Sequence, residues 1–194
     1  MRLFFALDID AFIRERIARF VDGVSEFAPE ARWVKPESLH ITLKFIGEKP
    51  VEWTDGMKKS ISTLRGRSFK LSIRGYGFFP SSKAARVFWI GIDAGTELIQ
   101  LASGVDEACM KLGIPKEEHS FSPHLTLARG GKSGSPRRQK LDSPNTKFQR
   151  LQEKLAAIPA PDFGTMSARE FFLYESKLSR GGSQYTKIAS FELT

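Results

Sequence analysis

The hexapeptide SLHITL at residues 38–43 recurs as SPHLTL at residues 122–127. Successive side chains of a β-strand point to opposite faces, so each copy predicts a polar pair on one face and two aliphatic side chains on the other. The polar pairs are His40 with Thr42 and His124 with Thr126. A single histidine on a strand is more often structural than catalytic, but two matched copies, 84 residues apart from position 40 to position 124, indicate a shared function.

The repeat also predicts the organisation of the fold. Two similar lobes would each contribute one motif strand, related by a pseudo-two-fold axis that brings the polar faces together across a central cleft. Elsewhere, apolar residues recur at helical spacing in four segments, at about residues 12–24, 51–64, 97–112 and 143–158. Strand-like runs lie between them, at residues 3–7, 69–73, 87–92, 171–174 and 188–193. A length of 194 residues suits one domain, residues 1–194, built from two lobes.

Two facing imidazoles suit a reaction in which one proton is removed while another is delivered. An unperturbed histidine pKa of about 6.5 keeps both protonation states available near neutral pH. Hydrolysis of a cyclic phosphodiester needs such a pair, because a base must deprotonate the attacking water while an acid protonates the departing ribose oxygen. The hydroxyls of Thr42 and Thr126 would donate hydrogen bonds to the non-bridging phosphate oxygens. The scheme needs neither a metal nor another cofactor, and we expect none.

Other kinds of site fit the pattern less well. A metal site would want a carboxylate within the motif or a third histidine nearby, whereas Glu117, Glu118 and His119 lie only on the approach to the second copy. A Ser-His-Asp hydrolase would use one histidine, and the chain has no Gly-x-Ser-x-Gly sequence. The glycine-rich loop at residues 130–136 lacks the spacing of a Walker motif.

The formal net charge of +8 favours a polyanionic partner, and phosphate backbones are the commonest of these. Much of the charge lies between residues 129 and 150, where Asp142 is the one acidic residue. The seven basic residues of this segment are Arg129, Lys132, Arg137, Arg138, Lys140, Lys147 and Arg150. The pattern leaves two interpretations open, a guide for a nucleic-acid strand and a solvated basic loop.

With two His-x-Thr-Leu tetrads in a basic chain, the sequence resembles the 2H phosphoesterase superfamily. The closest likeness is to its RNA 2′,3′-cyclic phosphodiesterases, also called the 2′-5′ RNA ligase family. Six segments carry it in order: LFFAL at 3–7, WV at 33–34, HITLKFIGE at 40–48, RVFWIG at 86–91, HLTLAR at 124–129, and the tail from YES at 174–176 to Tyr185. One departure is Gly181-Gly182, where relatives more often show a Gly-Pro pair, so we assign no role to Tyr185.

The resemblance implies a bilobal α+β fold in which two antiparallel sheets line the cleft and helices lie outside. It implies hydrolysis of RNA 2′,3′-cyclic phosphate ends to a 2′-phosphate, with His40 as the proton donor to the leaving oxygen and His124 as the base. Arg129 matches the basic residue that follows the second motif in the family and is expected to bind the phosphate. Strict strand alternation would turn Arg129 away from Thr126, yet at a strand end its side chain can bend toward the phosphate. The other interpretation is a surface arginine that starts the basic loop.

The expected partner is RNA with a 2′,3′-cyclic phosphate terminus, with tRNA fragments, decay intermediates and small cyclic nucleotides as candidates. Phe45 or Phe121 would stack on the terminal base or belong to the core. We expect a monomer, although the sequence carries no signal for the oligomeric state. We expect it in the cytoplasm, because the opening apolar run is too short for a secretory signal or membrane span and Cys109 is the one cysteine. Three alternatives remain open: 2′-5′ RNA ligation, cleavage of 2′-5′ oligonucleotides, and RNA binding without catalysis.

Overall fold

The computed structural model describes residues 1–130, 146–179 and 182–194. Within them lie nine strands: β1 Arg2–Leu7, β2 Arg32–Trp33, β3 Ile41–Glu48, β4 Phe69–Phe79, β5 Val87–Ala94, β6 His124–Arg129, β7 Asp162–Ala168, β8 Glu170–Ser179 and β9 Gly182–Glu192. The helices in the same residues are α1 Ala11–Val24, α2 Trp53–Ile61, α3 Thr96–Met110 and α4 Gln149–Ala156. None of these helices is both long and apolar enough to cross a lipid bilayer.

The strands form two sheets in which every neighbouring pair is antiparallel. The first sheet has the order β3-β1-β8-β9 and the second the order β2-β6-β5-β4-β7. Each motif therefore starts a strand of a different sheet, the first β3 and the second β6. The predicted α+β fold with two antiparallel sheets and a central cleft is confirmed.

Strand alternation in β1 separates the core from the cleft. Leu3, Phe5 and Leu7 are buried in a hydrophobic cluster that contains residues from both sheets and from the helices. Phe4 and Ala6 face the other way and form a smaller cluster with two aromatic residues of β8, Phe172 and Tyr174. The second face of the first sheet is thus aromatic, and it forms one wall of the cleft.

Several elements differ from the sequence prediction. Strands β4, β8 and β9 are longer than the predicted runs, and β2 was not predicted. Helix α2 is shorter than the predicted 51–64, because residues 50–54 form a turn in which the Thr54 hydroxyl donates to the carbonyl of Val51 at 2.7 Å. Strand β7 was not predicted, because its buried residues Phe163 and Met166 are three apart, where a regular strand has them two apart. A register shift against β4 beside Gly164, at φ 109°, accounts for the extra residue. The predicted start of the fourth helix at Ser143-Pro144 lies outside the described residues.

Candidate active site

The five site residues predicted from the sequence line one cavity of about 480 Å³ between the two sheets. They are His40 and Thr42 from the first motif and His124, Thr126 and Arg129 from the second. In each motif the histidine and threonine are partly exposed, whereas the aliphatic residue between them is buried. The predicted alternation therefore holds, although β3 itself begins at Ile41, one residue after His40.

The two imidazoles are held by the same local hydrogen bond. His40 Nδ1 lies 2.8 Å from the carbonyl oxygen of Ser38, and His124 Nδ1 lies 2.8 Å from that of Ser122. Because a carbonyl oxygen only accepts, Nδ1–H must donate in both rings, and Nε2 carries the lone pair in the neutral form. Nε2 is therefore the atom of each histidine that can exchange a proton with a bound molecule.

Aromatic rings surround both histidines. The His40 ring lies 4.8 Å from that of Phe4 and 4.9 Å from that of Tyr185, measured between centroids. The His124 ring lies 5.0 Å from Phe79 and 6.4 Å from Trp89. These contacts restrict the orientation of each imidazole and cover part of its surface. Tyr185, to which sequence analysis assigned no role, also lines the cavity.

The surroundings keep both imidazoles neutral at pH 7 in the ligand-free cleft. Burial lowers the pKa of His40 to about 4; the hydrogen bond to Ser38 opposes this shift, and the positive charge of Arg129 adds to it. Burial also lowers the pKa of His124, with Ser122 opposing and Arg129 again contributing. Arg129 lines the same cavity as both rings, and its charge therefore acts on each of them.

A β-bulge in each motif strand turns the second residue after the motif into the cleft. Against β1, Ala6 pairs with Thr42 and Phe5 with Lys44, so Leu43 is an extra residue. Residues 43 and 44 are both buried, and Phe45, 53% exposed, lines the cavity. Phe121, the other predicted stacking residue, packs against the core instead.

The second motif strand has the same irregularity. Against β5, Trp89 pairs with Thr126 and Phe88 with Ala128, so Leu127 is the extra residue, and Leu127 and Ala128 are both buried. Arg129 therefore shares a face with Thr126. Strict alternation would turn Arg129 away from Thr126, and the bulge is the reason why alternation does not hold here.

Arg14 supports the segment that precedes His40. Its guanidinium donates to the carbonyl oxygens of Pro36 and Leu39, the latter at 3.3 Å, and forms an ion pair with Asp8. Lys187 Nζ also lies 2.6 Å from Asp8 Oδ2. Burial favours the neutral carboxyl of Asp8, but the Lys187 hydrogen bond, the Ile9 backbone N–H and the charge of Arg14 together lower its pKa.

Two further arginines, Arg2 and Arg32, line the cavity and were not predicted as site residues. Arg2 alternates with Phe4 on β1, and Arg32 pairs with Arg129 between β2 and β6. Only the pairing of distant strands brings the two arginines to the cleft. In the sequence, Arg2 directly precedes the family-like segment 3–7, and Arg32 directly precedes the segment 33–34.

The basic segment is only partly described. Lys147 Nζ lies 3.6 Å from Glu30 Oε2, and Arg150 is exposed on α4. Lys132, Arg137, Arg138 and Lys140 lie outside the described residues. Whether the segment guides RNA therefore stays a prediction.

The described ranges contain no cluster of three or more histidine, cysteine or acidic residues that could bind a metal ion. Glu117, on the approach to the second motif, lies 3.4 Å from the buried Lys44 ammonium. Lys44 Nζ also forms an ion pair with Asp106 Oδ1 at 2.6 Å, although the two atoms do not meet hydrogen-bond geometry. The same ammonium donates a hydrogen bond to the carbonyl oxygen of Pro115 at 2.7 Å. The Glu117 carboxylate is thus paired with a lysine.

The model of the family described as LigT like phosphoesterase matches the chain twice, at residues 7–89 and 90–185. An RNA 2′,3′-cyclic phosphodiesterase of Archaeoglobus fulgidus is 33% identical over 192 residues, which cover 99% of this chain and 100% of the relative. The RNA 2′,3′-cyclic phosphodiesterase of Escherichia coli is 32% identical over 200 residues, covering 100% of this chain and 97% of the relative. The crystal structure of E. coli LigT complexed with 3′-AMP matches with a TM-score of 0.77 and 30% identity, covering 100% of this chain and 98% of that chain.

Proposed function

The chain belongs to the LigT like phosphoesterase family, and from this membership we propose that it hydrolyses 2′,3′-cyclic phosphate ends of RNA to 2′-phosphomonoesters. One observation carries the assignment of the site. His40 and His124 line one cavity, each with Nδ1 hydrogen-bonded to the carbonyl two residues before it, so that Nε2 of each ring is the reactive atom.

The cyclic phosphate binds between the two motifs. The Thr42 and Thr126 hydroxyls donate to its non-bridging oxygens, and the Arg129 guanidinium balances its single negative charge. Arg129 is suited to this task because its guanidinium is partly desolvated although the side chain reaches solvent. Burial lowers the pKa of Arg129, and the charges of Arg32 and Arg2 add to this effect while Tyr185 opposes it.

The two histidines exchange protons on opposite sides of the phosphorus atom. Nε2 of His124 accepts a proton from the attacking water, and Nε2–H of the His40 imidazolium protonates the ribose 3′ oxygen as its bond to phosphorus breaks. The 2′ oxygen keeps the phosphate. After turnover His124 is protonated and His40 is neutral. The starting state is restored when His124 releases its proton to solvent and His40 takes one up.

His40 must gain a proton before it can act as the acid. In the ligand-free cleft its pKa is about 4, so the imidazolium is rare at pH 7. A bound phosphodiester anion stabilises a nearby imidazolium in a medium of low dielectric and so raises the pKa of His40. Substrate binding thereby prepares the acid.

The natural substrate in this proposal is the end of an RNA fragment, with tRNA fragments among the candidates. The protein acts as a monomer in the cytoplasm, where the lone and buried Cys109 stays reduced.

The test is incubation with a short RNA that ends in a 2′,3′-cyclic phosphate, followed by identification of the hydroxyl that keeps the phosphate. We expect a 2′-phosphate, with activity unchanged in EDTA. A parallel reaction with 2′-5′ linked RNA distinguishes hydrolysis of the cyclic end from cleavage of that linkage. A 3′-phosphate product, or no turnover of the cyclic end, would contradict the proposal.

A further inference from the structure

Three arginines from three different strands line the cavity. Arg2 lies on β1, Arg32 on β2 and Arg129 on β6. Arg32 and Arg129 are direct neighbours across the two strands, and Arg2 lies on the cleft face of the other sheet together with Phe4. The two sheets therefore bring three positive charges to one cavity.

Nothing in the described part of the chain neutralises these charges. No acidic side chain lines the cavity there, and none of the three guanidiniums forms a hydrogen bond or an ion pair with a described residue. Glu48 pairs with Arg2 in the register of β1 and β3, but their side chains form no ion pair. Clustering like charges without a counter-ion costs free energy, so the arrangement is suited to an anionic ligand.

One cyclic phosphate does not account for all three guanidiniums. Arg129 lies on β6, the strand of His124 and Thr126, and lines the cavity with them, whereas Arg2 and Arg32 lie on β1 and β2. In agreement with this placement, Arg129 acts on the pKa of both imidazoles, and Arg2 and Arg32 act on that of Arg129. Arg129 is therefore the guanidinium beside the reacting phosphate, and the other two extend the positive wall beyond it. A cyclic phosphodiester carries one negative charge, which Arg129 balances, so two positive charges remain.

Resting on the proposed function, we propose that Arg2 and Arg32 form a second phosphate subsite, which binds the phosphate on the 5′ oxygen of the nucleotide that bears the cyclic end. In an RNA chain this group is the next anion along the backbone from the terminal cyclic phosphate. Ser176, which pairs with Arg2 in β8, and Ser183 of β9 line the same cavity and supply hydroxyl donors. The preferred substrate is then an oligonucleotide or a 5′-phosphorylated nucleotide, and a nucleoside 2′,3′-cyclic phosphate is a poor one.

The experiment compares three substrates with the same reacting end. Adenosine 2′,3′-cyclic phosphate has no 5′ phosphate, its 5′-phosphorylated form has a monoester there, and the dinucleotide ApA with a 2′,3′-cyclic phosphate has a diester. The kcat/KM of each is measured for the wild type, for R2Q, R32Q and the double variant, and for R67Q. Arg67 is exposed and does not line the cavity, so R67Q is the matched loss of one positive charge.

We expect the wild type and R67Q to prefer one or both 5′-phosphorylated substrates by at least about tenfold. This preference should fall several-fold in R2Q and in R32Q and approach unity in the double variant. Thermal unfolding of each variant checks folding, and the ratio between substrates is independent of the fraction of active enzyme. No wild-type preference, or an undiminished one in the double variant, would overturn the inference while leaving the proposed function intact. If the wild type hydrolysed none of the three substrates, the proposed function would instead be contradicted.

Discussion

Phe45 and Arg129 occupy equivalent positions in the two halves of the molecule. Each is the fifth residue after its motif histidine, and in each strand a β-bulge at the two preceding residues turns the side chain into the cleft. The pseudo-two-fold symmetry that places two imidazoles and two hydroxyls around the cavity is thus broken at this position. One lobe supplies an aromatic ring, and the other supplies a guanidinium.

We expect Phe45 to stack on the terminal base. Phe45→Ala should raise KM by roughly tenfold with little change in kcat, because base stacking on an aromatic side chain contributes about 1–3 kcal/mol. Phe45→Tyr keeps the ring and should retain most of the affinity. The measurement is steady-state kinetics on a nucleoside cyclic phosphate and on its analogue without a base. An equal loss on both compounds would show that Phe45 does not contact the base.

The pH dependence of kcat/KM should have its maximum in the acid range. Activity requires one imidazole protonated and the other neutral, and in the free protein the pKa of His40 is about 4 and that of His124 is lowered from 6.5. Above the higher of these pKa values the singly protonated form becomes about tenfold rarer per pH unit. The rate constant should therefore decline from pH 6.5 to pH 8.5, as initial rates at low substrate concentration would show. A maximum above pH 7.5 would be inconsistent with two buried neutral rings.

Arg14 should act on the rate through the position of His40. Its bonds to the carbonyls of Pro36 and Leu39 hold the segment that contains Ser38, the hydrogen-bond partner of His40. Arg14→Ala should lower kcat about tenfold, leave KM within about twofold and shift the pH profile, because the imidazole loses a fixed orientation.

Two variants complete this test. Arg14→Lys should restore part of the rate, and Arg19→Ala, which removes an exposed ion pair with Glu15, should have no effect. An Arg14→Ala protein that loses stability but keeps the wild-type kcat and pH profile would indicate a purely structural role.

The buried ion pair between Lys44 and Asp106 predicts a pattern of stabilities. Lys44→Met should lower the free energy of unfolding by about 3 kcal/mol, because it leaves Asp106 charged and largely buried. The double variant Lys44→Met with Asp106→Leu should recover most of this loss. Lys58→Met breaks an exposed pair with Asp55 and should cost less than about 1 kcal/mol. Urea unfolding measures these variants and Asp106→Leu alone beside the wild type, and a loss in the double variant equal to the sum of the two single losses would argue against coupling.

The sequence was sufficient to predict the parts of the cleft that depend on local pattern. His40, Thr42, His124 and Thr126 belong to a repeated motif whose alternation follows from strand geometry alone. The first and third helices show apolar residues at regular helical spacing, and their bounds agree with the prediction to within two residues.

Features that depend on pairing between distant strands could not be predicted in this way. The orientations of Phe45 and Arg129 depend on bulges, which the register against β1 and β5 defines. Arg2 and Arg32 reach the cavity because β1 and β2 belong to different sheets, and no periodicity within either segment indicates this. Tyr185 contacts His40 only because β9 folds back along β8.

The most direct test of the central claim, that two paired imidazoles carry the reaction, uses all three histidines of the chain. Hydrolysis of a short RNA with a 2′,3′-cyclic end is measured for His40→Ala, His124→Ala and His119→Ala, the last at an exposed position outside the cavity. His40→Ala and His124→Ala should each lower kcat by roughly 10²–10⁴-fold, whereas His119→Ala should retain the wild-type rate. A wild-type rate in either of the first two variants, with the protein folded, would contradict the account.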